Sequence, residues 1–227
     1  MAHALDGATL RVERAIKHFD ELMVVFVAFR EANIDKVSLK DDPGPPQSLR
    51  VFFDSSLIVP LSLSLPVSDC IHNLRAALDY VVYELAILDS GVIQDGTQFP
   101  IEDDPQVFHK RRRNTYLRGL EDKHVRVIES LQPYKGVDWT KLLASISNPD
   151  KHRHLVMLRP QLSSSVMIHF TGQPGDSEFN VNGEKMYVNK EHAFSIGFGD
   201  GQAPIVETLN SLLGHVRRTI DSFKSEF

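Results

Sequence analysis

Cysteine is almost absent from this chain of 227 residues, and its scarcity excludes several classes of protein. The only cysteine, Cys70, rules out an intrachain disulfide framework and a zinc site built on cysteine ligands. A single thiol is typical of proteins in a reducing compartment. We therefore predict a cytoplasmic location.

Long hydrophobic runs and a strong charge of one sign are also missing. The longest apolar runs, such as 22–29 and 85–88, are far shorter than the roughly 20 residues of a transmembrane helix. The first residues lack the basic and apolar layout of a signal peptide. A net charge of −5 argues against a general polyanion-binding protein, although it is compatible with a local basic patch. We expect a soluble protein with no membrane partner.

Apolar spacing predicts a mixed fold. Residues 8–32 place apolar side chains every three or four positions, which indicates an amphipathic helix. The predicted elements are helices over about 8–32, 66–90, 106–147 and 203–225, and strands over about 35–65 and 155–198. Asn182-Gly183 between two of the strands favours a type I′ hairpin. The expected fold is a single α+β domain, a bundle of long helices with an antiparallel sheet formed by inserted strands.

One polar cluster lies on the predicted helix 66–90. His72, Arg75 and Asp79 follow one another beside the apolar stripe at spacings of three and four residues. An arginine and an aspartate four residues apart either fix helix packing as an ion pair or prepare the guanidinium to bind an anion. In the second case His72 donates or accepts a proton. Spacing alone leaves both interpretations open.

A second polar cluster follows a predicted short helix at 138–147. The side chains expected on a tight turn there are Asp150, Lys151, His152 and Arg153. The favoured hypothesis is that the two cations hold a phosphate group while His152 transfers a proton. The alternatives are a solvated turn whose side chains cap one another, and a metal shared by His152, His154 and Asp150. We predict no metal and no cofactor.

A basic stretch lies between the two clusters. It contains Arg111, Arg112 and Arg113, preceded by His109 and Lys110. Such a stretch either contacts the phosphates of a nucleic acid or forms a solvated helix face. Its three arginines are therefore candidate substrate-binding residues, together with Lys151 and Arg153.

Three segments together resemble a bacterial family without an assigned activity: HNLRAALDY at 72–80, QPY at 132–134 and DKHR at 150–153. The resemblance extends over most of the chain. A looser similarity is to the HEPN superfamily of helical-bundle proteins, which includes RNA-cleaving toxins. Its motif is an arginine with a polar neighbour and a histidine four to six residues later. Arg75 matches the arginine, but Ala76 replaces the polar neighbour and 80–82 contains no histidine.

The resulting prediction is one site that joins both clusters. The candidate catalytic residues are His152, Arg75, His72, Asp79 and Asp150. The arginines and Lys151 stabilise negative charge, His152 supplies the missing imidazole, and the aspartates orient them, in acid–base chemistry on a phosphodiester of RNA or a nucleotide. The alternative is a non-enzymatic binding or structural protein in which these residues form a buried polar network. An open cavity favours the first and a sealed network the second. A homodimer is compatible with either.

Overall fold

Helices and strands occupy different parts of this chain, which confirms the predicted α+β class. The computed structural model describes residues 3–41, 49–152, 156–162, 168–169, 176–181, 184–189, 193–199 and 204–227. Contacts divide the chain into two compact units. Unit 1 comprises Met1–Asp20, Pro66–Leu155 and Leu209–Phe227, and unit 2 comprises Glu21–Leu65 and Val156–Thr208. Unit 1 is helical, and every described strand lies in unit 2.

Helix α2 (Ser64–Ser90) supplies much of the core of unit 1. Its predicted apolar stripe is fully buried and consists of Ile71, Leu74, Leu78, Val81, Val82 and Leu85. Burial of each such side chain contributes roughly 1.5–3 kcal/mol. Pro66 stands in the first turn, where its missing N–H interrupts no helical hydrogen bond. The expectation of a strand-like segment through residue 65 is wrong, because Leu61–Leu63 form a 3-10 turn that leads directly into α2.

Helices α1 (Asp6–Glu31) and α6 (Ile205–Phe223) are amphipathic, as their spacing predicts. The buried apolar residues of α6 are Ile205, Leu209, Leu212, Leu213, Val216, Ile220 and Phe223. On α1 the buried stripe includes Val12, Leu22 and Phe26. In the part of the chain that the structure describes, no helix has the length and apolar character needed to cross a bilayer.

Three shorter helices complete unit 1 within the described ranges: α3 (Pro105–Asn114), α4 (Asp122–Ser130) and α5 (Asp138–His152). Asp104 caps α3, because its Oδ1 accepts a hydrogen bond from the Gln106 N–H at 2.7 Å. Gly119 separates α3 from α4 with a φ of +84°, a left-handed conformation that glycine adopts without strain. The helical stretch predicted over 106–147 is therefore divided here into separate helices.

Helix α5 continues beyond its predicted end at residue 147. Asn148 and Pro149 lie within the helix, which ends at His152. The prediction that 150–152 lie on a tight turn before a strand is therefore wrong. Proline disfavours the helical conformation of the residue before it, which is why the sequence favours a break there. The side chains of 149–152, and residues Arg153 and His154 entirely, lie outside the described part of the structure.

Unit 2 contains three small antiparallel sheets among the described residues. Their strands are β1 (Val37–Asp41) with β2 (Leu49–Phe53), β3 (Leu158–Leu162) with β7 (Phe194–Phe198), and β4 (Ile168–His169) and β5 (Asp176–Val181) on either side of β6 (Glu184–Asn189). Val181 pairs with Glu184, so two residues connect β5 and β6. These are the predicted turn residues Asn182 and Gly183, which lie outside the described ranges. All five residues of β7 are buried, so it lacks the alternation that indicates an individual strand.

Aromatic rings fill a small core in unit 2. Val37, Leu57 and Phe194 are buried, and Phe29 and Phe53 pack against them. The ring centroid of Phe194 lies 6.0 Å from that of Phe29 and 5.8 Å from that of Phe53. These contacts tie β1 and β2 to the end of α1 and to β7.

Cys70 should be chemically inert in the folded protein. It is fully buried on α2, and burial raises the pKa of its thiol to about 12. Since the thiolate is the reactive form, we expect negligible alkylation by iodoacetamide at about pH 8 and rapid alkylation after unfolding in guanidinium. Intact-mass spectrometry measures both rates, with free cysteine as the reference thiol. Equal rates in the native and unfolded protein would contradict this burial.

Candidate functional site

Arg75 and Asp79 hold the main chain of an extended segment, residues 98–103. The Phe99 N–H donates a hydrogen bond to Asp79 Oδ1 at 2.9 Å, and the Phe99 carbonyl accepts one from Arg75 Nη2 at 3.1 Å. Arg75 Nη2 lies 3.9 Å from Asp79 Oδ1, so the predicted ion pair along α2 is present. The Nη2 group of Arg75 therefore has a structural role.

Gln132, the first residue of the QPY motif, holds the same segment from another side. Its side chain is fully buried. Its Nε2 donates to the carbonyls of Pro100 at 2.9 Å and Ile128 at 3.0 Å, and its Oε1 accepts from the Glu102 N–H at 3.0 Å. We refer to Arg75, Asp79 and Gln132 together as the main-chain clamp. It fixes the path of the 98–103 segment at several consecutive peptide groups.

A cavity of about 570 Å³ opens beside the clamped segment, entirely within unit 1. We call it the polar cavity. Its charged and polar lining includes Arg75, Gln98, Glu102, Asp103, Arg111, Tyr116 and Asn148. These residues come from α2, the 98–103 segment, α3 and the turn after it, and α5. The cavity therefore draws together parts of the chain that are distant in sequence.

The Nη1 group of the Arg75 guanidinium has no hydrogen-bond partner among the described residues. The side chain is only 11% exposed. Its Nη1 is buried and makes no hydrogen bond within the described part of the chain. Burial lowers the pKa of Arg75, and Asp79, Tyr116 and Glu102 oppose that shift. An arginine stays protonated, and an unpaired buried donor costs about 1–3 kcal/mol. The Nη1 group is therefore suited to donate a hydrogen bond to an anionic acceptor.

Arg111 brings a second guanidinium to the polar cavity. Its Nη1 lies 3.0 Å from Glu102 Oε1, and its guanidinium carbon lies 4.9 Å from the centroid of the Tyr116 ring. Burial raises the pKa of Glu102, while the charges of Arg111 and Arg75 lower it. The Tyr116 carbonyl accepts a hydrogen bond from the Gln98 N–H at 3.1 Å, which joins this wall to the clamped segment.

The structure brings together only part of the predicted site. His72 is exposed on α2 and lies outside the described lining of the polar cavity. Arg112 and Arg113 belong to α3, but their side chains lie outside the described part. The helix places position 152 one turn beyond Asn148, which lines the cavity. Contact between His152 and Arg75 stays a prediction, as do the roles of Asp150, Lys151 and Arg153.

The predicted site omits five polar residues of the cavity lining: Gln98, Glu102, Asp103, Tyr116 and Asn148. Glu102 falls in the gap between the predicted helices 66–90 and 106–147. A signal was nevertheless present, because the acidic run 102–104 shortly precedes the basic run 109–113. Opposite charges at that separation favour an ion pair between a loop and the helix that follows it.

A second polar cluster in unit 1 joins the buried side chains of His124 and Asp89 to the partly exposed Glu226. His124 Nδ1 lies 2.7 Å from Asp89 Oδ2, and His124 Nε2 lies 3.2 Å from Glu226 Oε2. The side chains of His124 and Asp89 are only 2% and 3% exposed. Asp89 Oδ2 also accepts a hydrogen bond from the Glu121 N–H at 2.7 Å. Because both imidazole nitrogens have partners, this cluster fits a structural role.

The comparisons leave the site to be interpreted from its own geometry. The chain matches no protein-family model, no curated protein and no solved structure at a significant level. Over the residues that the structure describes, no group of three or more histidine, cysteine, aspartate or glutamate side chains is arranged to hold a metal ion.

Proposed function

We propose that the polar cavity binds the phosphate group of a nucleotide or of RNA, and that the protein carries out acid–base chemistry on a phosphodiester. The observation that carries this proposal is the buried Nη1 of Arg75 at the wall of an open cavity, a charged donor for which the described residues provide no partner. Guanidinium groups bind phosphate through paired, charge-assisted hydrogen bonds. A phosphate oxygen satisfies this donor.

The size and charge of the polar cavity favour a small ligand. Its volume of about 570 Å³ is within the usual range for small-molecule sites, about 300–1,000 Å³. Arg75 and Arg111 are balanced by the carboxyl groups of Glu102 and Asp103. A balanced site favours a single phosphate over a long polyanion. Tyr116 and Asn148 add a ring face and an amide, groups that recognise nucleobases.

The proposed chemistry assigns a separate role to each cluster. Arg75 and Arg111 stabilise the negative charge that develops on the phosphoryl oxygens, and His152 transfers a proton at the reacting oxygens. Support for the position of His152 comes from the course of α5, since Asn148 lines the cavity four residues earlier on the same helix.

A purely structural role is the second candidate, and a specific observation favours it. Arg75 and Asp79 both hydrogen-bond the main chain of Phe99, so they stabilise the fold whether or not a ligand binds. Ligand binding distinguishes the two candidates, because a structural clamp alone has no affinity for phosphate.

Ligand binding by an Arg111 variant tests the proposal most directly. The Arg111 side chain is 43% exposed and lies outside the main-chain clamp. We expect Arg111→Gln to weaken binding of uridylyl-uridine by at least about tenfold, because it removes a charged hydrogen-bond donor. The melting temperature should not change. Lys110→Gln is the matched control, since it removes one positive charge from an exposed neighbour on the same helix.

Isothermal titration calorimetry with the uncleavable 2′-deoxy analogue measures the same contact without turnover. If the parent protein binds neither compound, the proposed function is wrong. Equal losses in both variants would indicate general electrostatic attraction and no specific site. His152→Ala should retain binding and lose cleavage, and full cleavage by this variant would exclude His152 from the reaction.

A further inference from the structure

Glu102 contributes a carboxyl group to the polar cavity. The Glu102 side chain is 11% exposed and lies in the same lining as Arg75 and Arg111. The main-chain N–H of Glu102 donates a hydrogen bond to Gln132 Oε1 at 3.0 Å, which fixes the main chain at this residue. A carboxylate in the same lining as two cations suited to phosphate is a candidate to accept the proton of a hydroxyl bound there.

Charged groups of both signs face Glu102. Arg111 on α3 forms an ion pair with it, Arg75 on α2 adds a second positive charge, and Asp103 beside it in the chain opposes them. Burial raises the pKa of Glu102 above its usual value of 4.5. A carboxyl group that is more basic than usual and lies beside cations suits proton abstraction.

We propose that Glu102 is the general base of a reaction in which the 2′-hydroxyl of RNA attacks the adjacent phosphorus. This inference rests on the proposed function and deepens it by naming RNA as the substrate class. The hydroxyl proton passes to Glu102 as the 2′-oxygen bonds to phosphorus. The bond from phosphorus to the 5′-oxygen breaks, and that oxygen takes a proton from His152. The products are a 2′,3′-cyclic phosphate and a free 5′-hydroxyl, and proton exchange with water restores both side chains.

Glu102 has an additional effect on binding, because its ion pair with Arg111 competes with the phosphate for the same guanidinium. Loss of the Glu102 charge should therefore change binding and cleavage in opposite directions. A residue that only supports the fold does not produce this result, since damage to the cavity weakens both.

Glu102→Gln tests the inference, because it removes the charge and keeps the N–H held by Gln132. With uridylyl-uridine we expect single-turnover cleavage to fall at least about a hundredfold, the usual contribution of a general base. The affinity for the uncleavable 2′-deoxy analogue should rise, by up to about fivefold, the limit for a partly exposed ion pair. Glu13→Gln, the same exchange at an exposed position of α1, should match the parent in both assays.

The outcomes separate this inference from the proposed function. Cleavage by Glu102→Gln within about threefold of the parent rate would exclude Glu102 as the base. A parent that binds the analogue but never cleaves the ribonucleotide also overturns the inference and leaves phosphate binding intact. A parent that does not bind overturns both.

In an active parent, cleavage should decline as the pH falls through the raised pKa of Glu102, and Glu102→Gln should abolish that decline.

Discussion

Asp79→Ala is expected to lower the free energy of unfolding by about 3 kcal/mol, since it breaks a largely buried pair and leaves a buried N–H unpaired. The unpaired N–H is that of Phe99, and Arg75 loses its nearest carboxylate. The 98–103 segment then has one fewer attachment to α2. Guanidinium denaturation followed by circular dichroism measures the change.

His72→Ala is the matched control for this prediction, because His72 lies on the same helix and is exposed. We expect its effect to be within about 0.5 kcal/mol. Asp79→Asn should be intermediate, since the amide oxygen still accepts from the Phe99 N–H while the charge is lost. Similar stability of Asp79→Ala and His72→Ala would show that the main-chain clamp does not stabilise unit 1.

His124→Ala is expected to cost about 3–5 kcal/mol, because it leaves a buried carboxylate without its partner. That carboxylate is Asp89, which keeps only the Glu121 N–H among its described contacts. Thermal and guanidinium unfolding measure the loss. His109→Ala, at an exposed histidine on α3, should remain within about 0.5 kcal/mol of the parent.

Acid unfolding provides a second measure of this cluster. Lys123 and His124 hold the pKa of Glu226 below its usual value. An acid whose pKa is lower in the folded state adds stability above its unfolded pKa, and that stability is lost as the pH falls through the folded value. The parent should therefore lose stability on acidification below about pH 4.5, and His124→Ala should lose less. An identical decline in both proteins would show that His124 and Glu226 are not coupled.

The sequence predicts those parts of the fold that depend on local spacing. The buried stripes of α2 and α6 follow from apolar residues every three or four positions. The local interpretation of Pro149 as a helix end is wrong, because a rule about neighbouring residues does not include the contacts that stabilise α5. The resemblances to the bacterial family and to the HEPN superfamily stay predictions.

The candidate site is predictable only where its contacts are local. The Arg75–Asp79 pair follows from helical geometry. His72 has a matching spacing, but it lies on the exposed side, and spacing along one helix does not show which neighbours cover each face. The bonds from Gln132 to Pro100 and Glu102 join residues about thirty positions apart, so they require the tertiary fold.

The main-chain clamp has a consequence for how the protein can be altered. Its bonds to the 98–103 segment all end on peptide N–H and carbonyl groups. Those groups are the same whichever side chains the segment carries. Exposed positions such as Gln98 and Asp103 can therefore be exchanged while the backbone keeps its path. The side chains of this wall of the polar cavity can therefore be changed on a fixed backbone. Such a wall is suited to the design of sites with new ligand preferences.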